Sequence, residues 1–242
     1  MGNKKEVLLS KRMQMVADMV TKGNVTADIG CDHGFVSIYL IEQGICPHVI
    51  AMDVNERPLL RAREHIAERS LDSYIDIRLS DGMEKLQKQE ADSIIIAGMG
   101  GRLVMKILSD NMDKVKELKE VILQPQSDLH LVRHFLTENG FMIRQEDMVE
   151  DASKFYPCMK AVRDEDKKVS YSELEEWYGP LLLREKHPVL YQYLQKEKNT
   201  FEQIRQQIKE NARSMDSKEE DSIQERQKQI AMALAYFEDQ EV

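Results

Sequence analysis

The 242-residue sequence contains only three cysteines, Cys31, Cys46 and Cys158. They are odd in number, widely spaced and include no C-x-x-C pair. A disulfide framework and a structural zinc site are therefore not expected, and a reducing compartment is the simple reading. No apolar run reaches the ~18 residues that span a bilayer. The basic N-terminal stretch is followed by no hydrophobic signal core, and Gly2-Asn3-Lys4-Lys5-Glu6 lacks the Ser or Thr of a myristoylation signal. These absences point to a cytoplasmic protein with no membrane association. An excess of basic residues is also missing: the formal net charge is -9. Any polyanion partner must therefore meet a local basic face on an acidic body.

What is present is an alternation of short apolar runs with helical stretches. A helix is expected over 10–21, where Leu9, Met13, Val16, Ala17 and Val20 recur at helical spacing. Strands are expected at 25–29, 48–53, 74–79, 93–97 and 120–123. Helices follow them at 36–43, 58–69, 83–88, 102–108 and 129–139. Two further strands, 141–149 and 155–162, flank the polar turn Glu150-Asp151-Ala152-Ser153. Five βα units closed by a hairpin describe an α/β, doubly wound seven-stranded sheet with its last strand antiparallel. The order of its strands is not readable from the sequence.

Beyond about Arg163 the composition becomes more hydrophilic. Leu190, Leu194, Phe201, Ile204, Ile208 and Met215 step by fours and threes, with Glu197 and Asn211 in two heptad slots. Ser217-Lys218-Glu219-Glu220 has the pattern of a capping box. Ile223, Ile230, Leu234 and Phe237 continue a second seam. The expectation is a domain over 1–163 with the sheet, then a helical coiled-coil hairpin domain over 164–242.

The chemistry concentrates in the loops that leave the strands. Asp28-x-Gly30-x-x-x-Gly34 joins a strand to a helix, so backbone N–H groups there can approach a nucleotide-like ligand closely. The dinucleotide fingerprint G-x-G-x-x-G fails, because Asp32 stands where its second glycine would be. Asp53 ends the second strand, where a carboxylate can accept from ribose hydroxyls. Ser80-Asp81-Gly82-Met83 follows the third strand: Asp81 can accept from an adenine amino group and Met83 can cover its ring. Ala97-Gly98-Met99-Gly100-Gly101 follows the fourth, a loop small enough for substrate and cofactor to come close. Loops at the carboxyl ends of successive strands converge where open α/β sheets bind ligands. S-adenosylmethionine is the cofactor that this set predicts. Its contacts are expected from Asp28, Gly30, Cys31, His33, Gly34, Asp53, Val54, Asp81, Gly82, Met83, Ala97, Gly98, Met99 and Gly100. The sheet then has the outline of a class I methyltransferase.

These same segments resemble one family, the bacterial tRNA (adenine-22-N1)-methyltransferases of the TrmK type. The resemblance runs from Leu9-Ser10-Lys11-Arg12 through Ala27–Gly34, Ala51-Met52-Asp53-Val54-Asn55, Leu79-Ser80-Asp81-Gly82 and Ala97-Gly98-Met99-Gly100-Gly101 to Leu123-Gln124-Pro125. Asp32-His33 inside the glycine loop and the Ala-Gly-Met-Gly-Gly loop make it specific. It implies methyl transfer to N1 of an adenosine in the D-arm of tRNA, and a C-terminal coiled coil. N1 carries a lone pair and no proton, so alignment matters more than a general base. Asp32 is the candidate to stabilise the charge that develops on the ring. Its alternative role is to hold only the cofactor or the loop.

Exocyclic-amine methyltransferases usually resemble an (Asp/Asn)-Pro-Pro-aromatic pattern after the fourth strand, and none occurs here. RNA contact is expected from Lys4, Lys5, Lys11 and Arg12, with Arg57, Arg61 and Arg102 behind them. His130 and His134 lie four apart without the Glu of a zinc protease motif, so no metal is expected. No obligate protein partner is implied. The alternatives are methylation of another RNA, a protein or a small molecule, and a non-catalytic cofactor-binding protein.

Overall fold

A computed structural model describes residues 7–164, 169–210 and 217–238. It divides into two compact units, one reaching Ser170 and one beginning at Tyr171. The Ser217–Glu220 side chains, Met215 and Asn211 lie outside the described residues, as do Lys4 and Lys5.

In the first unit, α1 (Lys11–Asp18) precedes β1 (Thr26–Ile29), α2 (Phe35–Glu42), β2 (Val49–Asp53), α3 (Glu56–Glu68) and β3 (Ile75–Leu79). Then come β4 (Ser93–Ala97), α4 (Gly101–Asp110), α5 (Met112–Val115), β5 (Glu120–Gln124), α6 (Leu129–Glu138), β6 (Phe141–Asp151) and β7 (Lys154–Arg163). The seven strands form one sheet in the order β3-β2-β1-β4-β5-β7-β6. β1 through β5 pair in parallel, while β7 runs antiparallel to both β5 and β6. β1, β2, β4 and β5 are buried almost throughout, as the continuous apolar runs require when helices cover both faces.

The order decides where a ligand can lie. The chain leaves β1 toward β2 and β3, then crosses back to β4 on the other side of β1. A crevice opens at that reversal, outside the carboxyl ends of β1 and β4.

Two local expectations change. No helix forms over 83–88; the segment runs as turns. Its backbone groups bond elsewhere: the Ser80 hydroxyl accepts from Lys85 N–H, Lys114 Nζ donates to the carbonyls of Met83 and Glu84, and Arg78 donates to Lys85 O. The β6–β7 connection is also tighter than four residues, because Asp151 pairs with Lys154 across the turn. Ala152 and Ser153 both take positive φ, 48° and 63°, which suits the right-handed twist of a two-residue hairpin.

In the second unit, α7 (Glu173–Tyr178) starts with a capping box between Ser172 and Glu175, and α8 (Pro180–Arg184) leads to α9 (Pro188–Glu210) and α10 (Ser217–Ala235). Glu197 of α9 meets Arg226 of α10, while Tyr191 meets Phe237 just past it, so the two long helices run antiparallel. Leu190, Leu194, Ile230 and Ala233 are buried in this unit, whereas Ile204 and Met232 are exposed. The polar slot at Glu197 is explained by Arg226, which donates to both its carboxylate oxygens at 3.1 and 3.2 Å. The Arg226 guanidinium also lies over the rings of Trp177 and Tyr178. No helix among the described residues is long and apolar enough to cross a membrane.

Candidate active site

The glycine loop after β1 is held by the neighbouring strand. Gly30 and Cys31 N–H both donate to Met52 O at the end of β2, and Gly34 N–H closes the turn on Cys31 O. Asp32, at φ 51°, sits at the outer bend with its side chain exposed. Gly30 is required for close approach as well as for its φ of 78°. A Cβ there would stand 2.3 Å from Met99 Cε, so the β1 and β4 loops touch at this point.

Besides Asp32 of the glycine loop, three carboxylates line one side of the resulting cavity, which has a volume of about 430 Å³. Asp28 is buried on β1 and accepts from Ser37 Oγ at 2.7 Å. Burial pushes its carboxyl up to about 6, Ser37 pulls against that shift, and the nearby Asp53 charge adds to it. Asp53 ends β2: Oδ1 accepts from Asn55 N–H at 2.8 Å, and Oδ2 from Asp32 N–H at 3.3 Å. Asp81 is exposed at the rim beyond β3.

The opposite side belongs to β4, β5 and α1. Gly98 N–H donates to Gln124 O and Gln126 N–H to Met99 O, which extends the β4–β5 pairing into the loops. Arg12 reaches in from α1. Its N–H donates to Asp151 Oδ2, its guanidinium lies 5.4 Å from the Tyr156 ring centroid, and NH1 donates to Gln124 Oε1 at 3.2 Å. Gly98 keeps this approach open, since a Cβ there would lie 3.2 Å from Arg12 NH1.

The cavity lining thus brings together Asp28, Gly30, Cys31, Asp32, Asp53, Val54, Asp81, Gly82, Ala97, Gly98 and Met99. Four other predicted residues are not part of it. Met83 is fully buried, because the turns that replace the expected helix anchor it in the core and not over the cavity. Gly34 and Gly100 stand one step back, as the N-caps of α2 and α4. His33 turns toward Phe35 and His65, with Nε2 3.5 Å from Asp32 Oδ1 and a buried Nδ1 lacking a hydrogen-bond partner among the described residues. The Cys31 thiol is pushed up, chiefly by burial and then by Asp28 and Asp53, which argues against a nucleophile.

Of the residues expected to meet RNA, Lys11 is exposed, and so are Arg57 and Arg61 on α3, which have no ionic partner among the described residues. Arg102 is exposed with Asp128 3.6 Å away. Arg12 differs in its place: it lines the cavity. Sequence reasoning missed Gln124 and Gln126 as lining residues, along with Met13 and Val16 of α1. The signal was present in Leu123-Gln124-Pro125, which ends the fifth strand at the same edge as the other loops.

A seven-stranded sheet of this order, with a glycine loop after β1 and an acidic residue ending β2, defines a class I methyltransferase. The methyltransferase domain family model matches residues 9–159. A curated Bacillus subtilis tRNA (adenine(22)-N(1))-methyltransferase is 34% identical over 209 residues, covering 83% of this chain and 87% of that protein. The crystal structure of the B. subtilis M1A22 tRNA methyltransferase TrmK superposes with a TM-score of 0.82 at 29% identity, covering 94% and 99% of the two chains. A Streptococcus pneumoniae structure described as a candidate tRNA (m1A22) methyltransferase, in complex with S-adenosyl-L-methionine, gives 0.84 at 30% identity, with 94% and 100% covered. The chain belongs to the tRNA (adenine(22)-N(1))-methyltransferase family.

Proposed function

We propose that the cavity binds S-adenosyl-L-methionine and that the chain transfers its methyl group to N1 of adenosine 22 in the D-arm of tRNA. One observation carries this reading: a single cavity has carboxylates at the ends of β1 to β3 on one side, and Gln124, Gln126 and Arg12 on the other.

The residues present fit this cofactor. Asp53 Oδ2, with Asp32 N–H as its one donor among the described residues, retains acceptor capacity for a ribose hydroxyl, while Oδ1 accepts from both the N–H and Nδ2 of Asn55. The close approach at Gly30 leaves no room for a side chain between the loops. Bound there, S-adenosyl-L-methionine would supply the methyl group of its sulfonium, the C–S bond breaking to leave a neutral thioether as the N1 lone pair forms the new bond.

The protein's part is alignment. The β4 loop, stitched to Gln124 and Gln126, sets the face that receives the base, and the β1 loop sets the donor. No proton has to be removed for transfer to N1. Positive charge passes to the adenine ring, and Asp32, exposed in the donor loop, is the carboxylate assigned to offset it. Because N1 lies on the Watson–Crick edge, the base must leave its stack to enter the cavity.

We assign catalysis to the domain over 1–163 and treat 164–242 as a separate helical coiled-coil domain. Lys11, Arg57, Arg61 and Arg102, with Lys4 and Lys5, supply phosphate contacts, and a tRNA substrate places the protein in the cytoplasm. Transfer of labelled methyl to unmodified tRNA, followed by nucleoside analysis, tests the whole reading. The expected product is 1-methyladenosine at one D-arm position. Tight cofactor binding with no 1-methyladenosine in any tRNA would overturn it.

A further inference from the structure

Four carboxylates line the cavity, those of Asp28, Asp32, Asp53 and Asp81, and among the described residues Arg12 is the one cation that joins them. The fold holds Arg12 in place without neutralising it. Its backbone N–H, not its guanidinium, donates to Asp151 Oδ2, and its guanidinium carbon lies 5.4 Å from the Tyr156 ring centroid. NH1 donates to the neutral amide of Gln124, at 3.2 Å from Oε1. No carboxylate pairs with this guanidinium among the described residues, and the bond to Gln124 occupies one of its five donors. Arginines that serve the fold differ: Arg133 pairs with Glu146, Arg78 with Glu90 and Arg69 with Glu42.

The charged head of Arg12 lies at the cavity and not beside it. A Cβ on Gly98 would stand 3.2 Å from NH1, and Gly98 itself lines the cavity. The strand order then sets out a gradient of charge. Asp81, Asp53 and Asp28 belong to the β3, β2 and β1 side, and the Arg12 guanidinium lies at the ends of β4 and β5. S-adenosyl-L-methionine carries its charges in a matching order: an uncharged adenosine, a sulfonium, then an ammonium and a carboxylate on one carbon. The four aspartates suit every part of it except that carboxylate. An arginine fork binds a carboxylate through parallel N–H bonds. A tRNA phosphate suits this place less, because it brings no positive charge to set against the four aspartates, whereas exposed Arg57 and Arg61 do not line the cavity.

We propose that Arg12 binds the carboxylate of the cofactor's methionine moiety. The contact selects S-adenosyl-L-methionine over ligands that share its adenosine and sulfonium but lack the carboxylate. This rests on the S-adenosyl-L-methionine reading above, and it gives to cofactor recognition a residue expected from its sequence position to meet RNA.

The test removes the two partners separately. Full-length wild type, Arg12→Gln and Arg12→Lys would be titrated by calorimetry, without tRNA, with S-adenosyl-L-methionine and with decarboxylated S-adenosylmethionine. The wild type should bind the first about thirtyfold more tightly than the second. In Arg12→Gln that preference should collapse to about threefold or less, through loss of affinity for S-adenosyl-L-methionine alone. Arg12→Lys should recover part of it, since a lysine keeps the charge but not the fork. A preference that survives in Arg12→Gln, with a weaker salt dependence of tRNA binding, would assign Arg12 to phosphate and overturn the proposal. Equal loss of affinity for both ligands would show a structural role and overturn it too. If Arg12→Gln does not fold, the wild-type preference and its reduction in Arg12→Lys carry the comparison, and a wild type without preference refutes the proposal. A wild type that binds neither ligand would instead remove the cofactor reading, and this inference with it.

Discussion

At the edge where the parallel strands begin, the Glu120 carboxylate accepts from Thr21 N–H, Thr21 Oγ1, Asn24 Nδ2 and Ser93 Oγ, with Lys160 Nζ 3.6 Å away. At the edge where they end, among the described residues Asp28 accepts from the Ser37 side chain, and Asp53 from the two residues Asn55 and Asp32. No cation pairs with either of these two aspartates among the described residues. Both edges bury carboxylates on the same sheet. The first has its acceptors satisfied by the protein, so its charge serves the fold. The second keeps acceptors in reserve and has one carboxyl lifted to about 6, so its charge is available to a ligand. A buried acid is thus read by what its oxygens lack more than by its burial.

The largest expected effect lies at the satisfied edge. Glu120→Ala leaves several donors without a partner and should lower stability by about 3 kcal/mol in urea unfolding. Cofactor affinity in the folded fraction should not change. Weakened cofactor binding with unaltered stability would break the contrast between the edges.

Asp53→Ala should do the reverse. We expect about a 100-fold loss of cofactor affinity by calorimetry, equivalent to about 2.7 kcal/mol, with the urea midpoint nearly unmoved. An affinity within threefold of the wild type would remove the ribose assignment.

A smaller effect comes from Asp28. The cofactor's sulfonium and amino group favour the ionised carboxyl, so binding competes with protonation. Affinity should rise as pH climbs from 5 through 6 and flatten near 7, by up to about tenfold. Asp28→Asn should abolish that slope. A slope retained in this variant would mean that another group titrates.

The smallest change belongs to the surface. Replacing Arg57 and Arg61 by Ala should weaken tRNA binding a few-fold and reduce the salt dependence by about one counterion per lost phosphate contact. Cofactor binding should stay as it was. An unchanged salt slope would place the basic face elsewhere.

Much of the catalytic unit was legible because its signals are local. Runs such as 94–97 are apolar throughout, as a doubly covered strand requires, and Asp28, Gly30, Asp53 and Gly98 stand at strand ends set by that pattern. The Met83–Lys88 stretch misled, since its helical pattern lost to side chains of Arg78, Ser80 and Lys114 that take the same backbone groups. Arg12 shows a limit of another kind. Its place near the chain's start gives no sign that Tyr156 and Gln124 stand beside it, residues more than a hundred positions away.

The sequence by itself determined the elements, the loops that bear the chemistry and the family they belong to. Periodicity, turn residues and motif spacing are properties of neighbouring positions, and each acts within a few residues of itself. Only the tertiary structure decided the strand order, the crevice between β1 and β4, and the meeting of Arg12 with Gln124 across it. Those depend on which distant segments share a ladder or a wall. The amide of Gln124 acquires a fixed orientation only when α1 brings Arg12 to the end of β5.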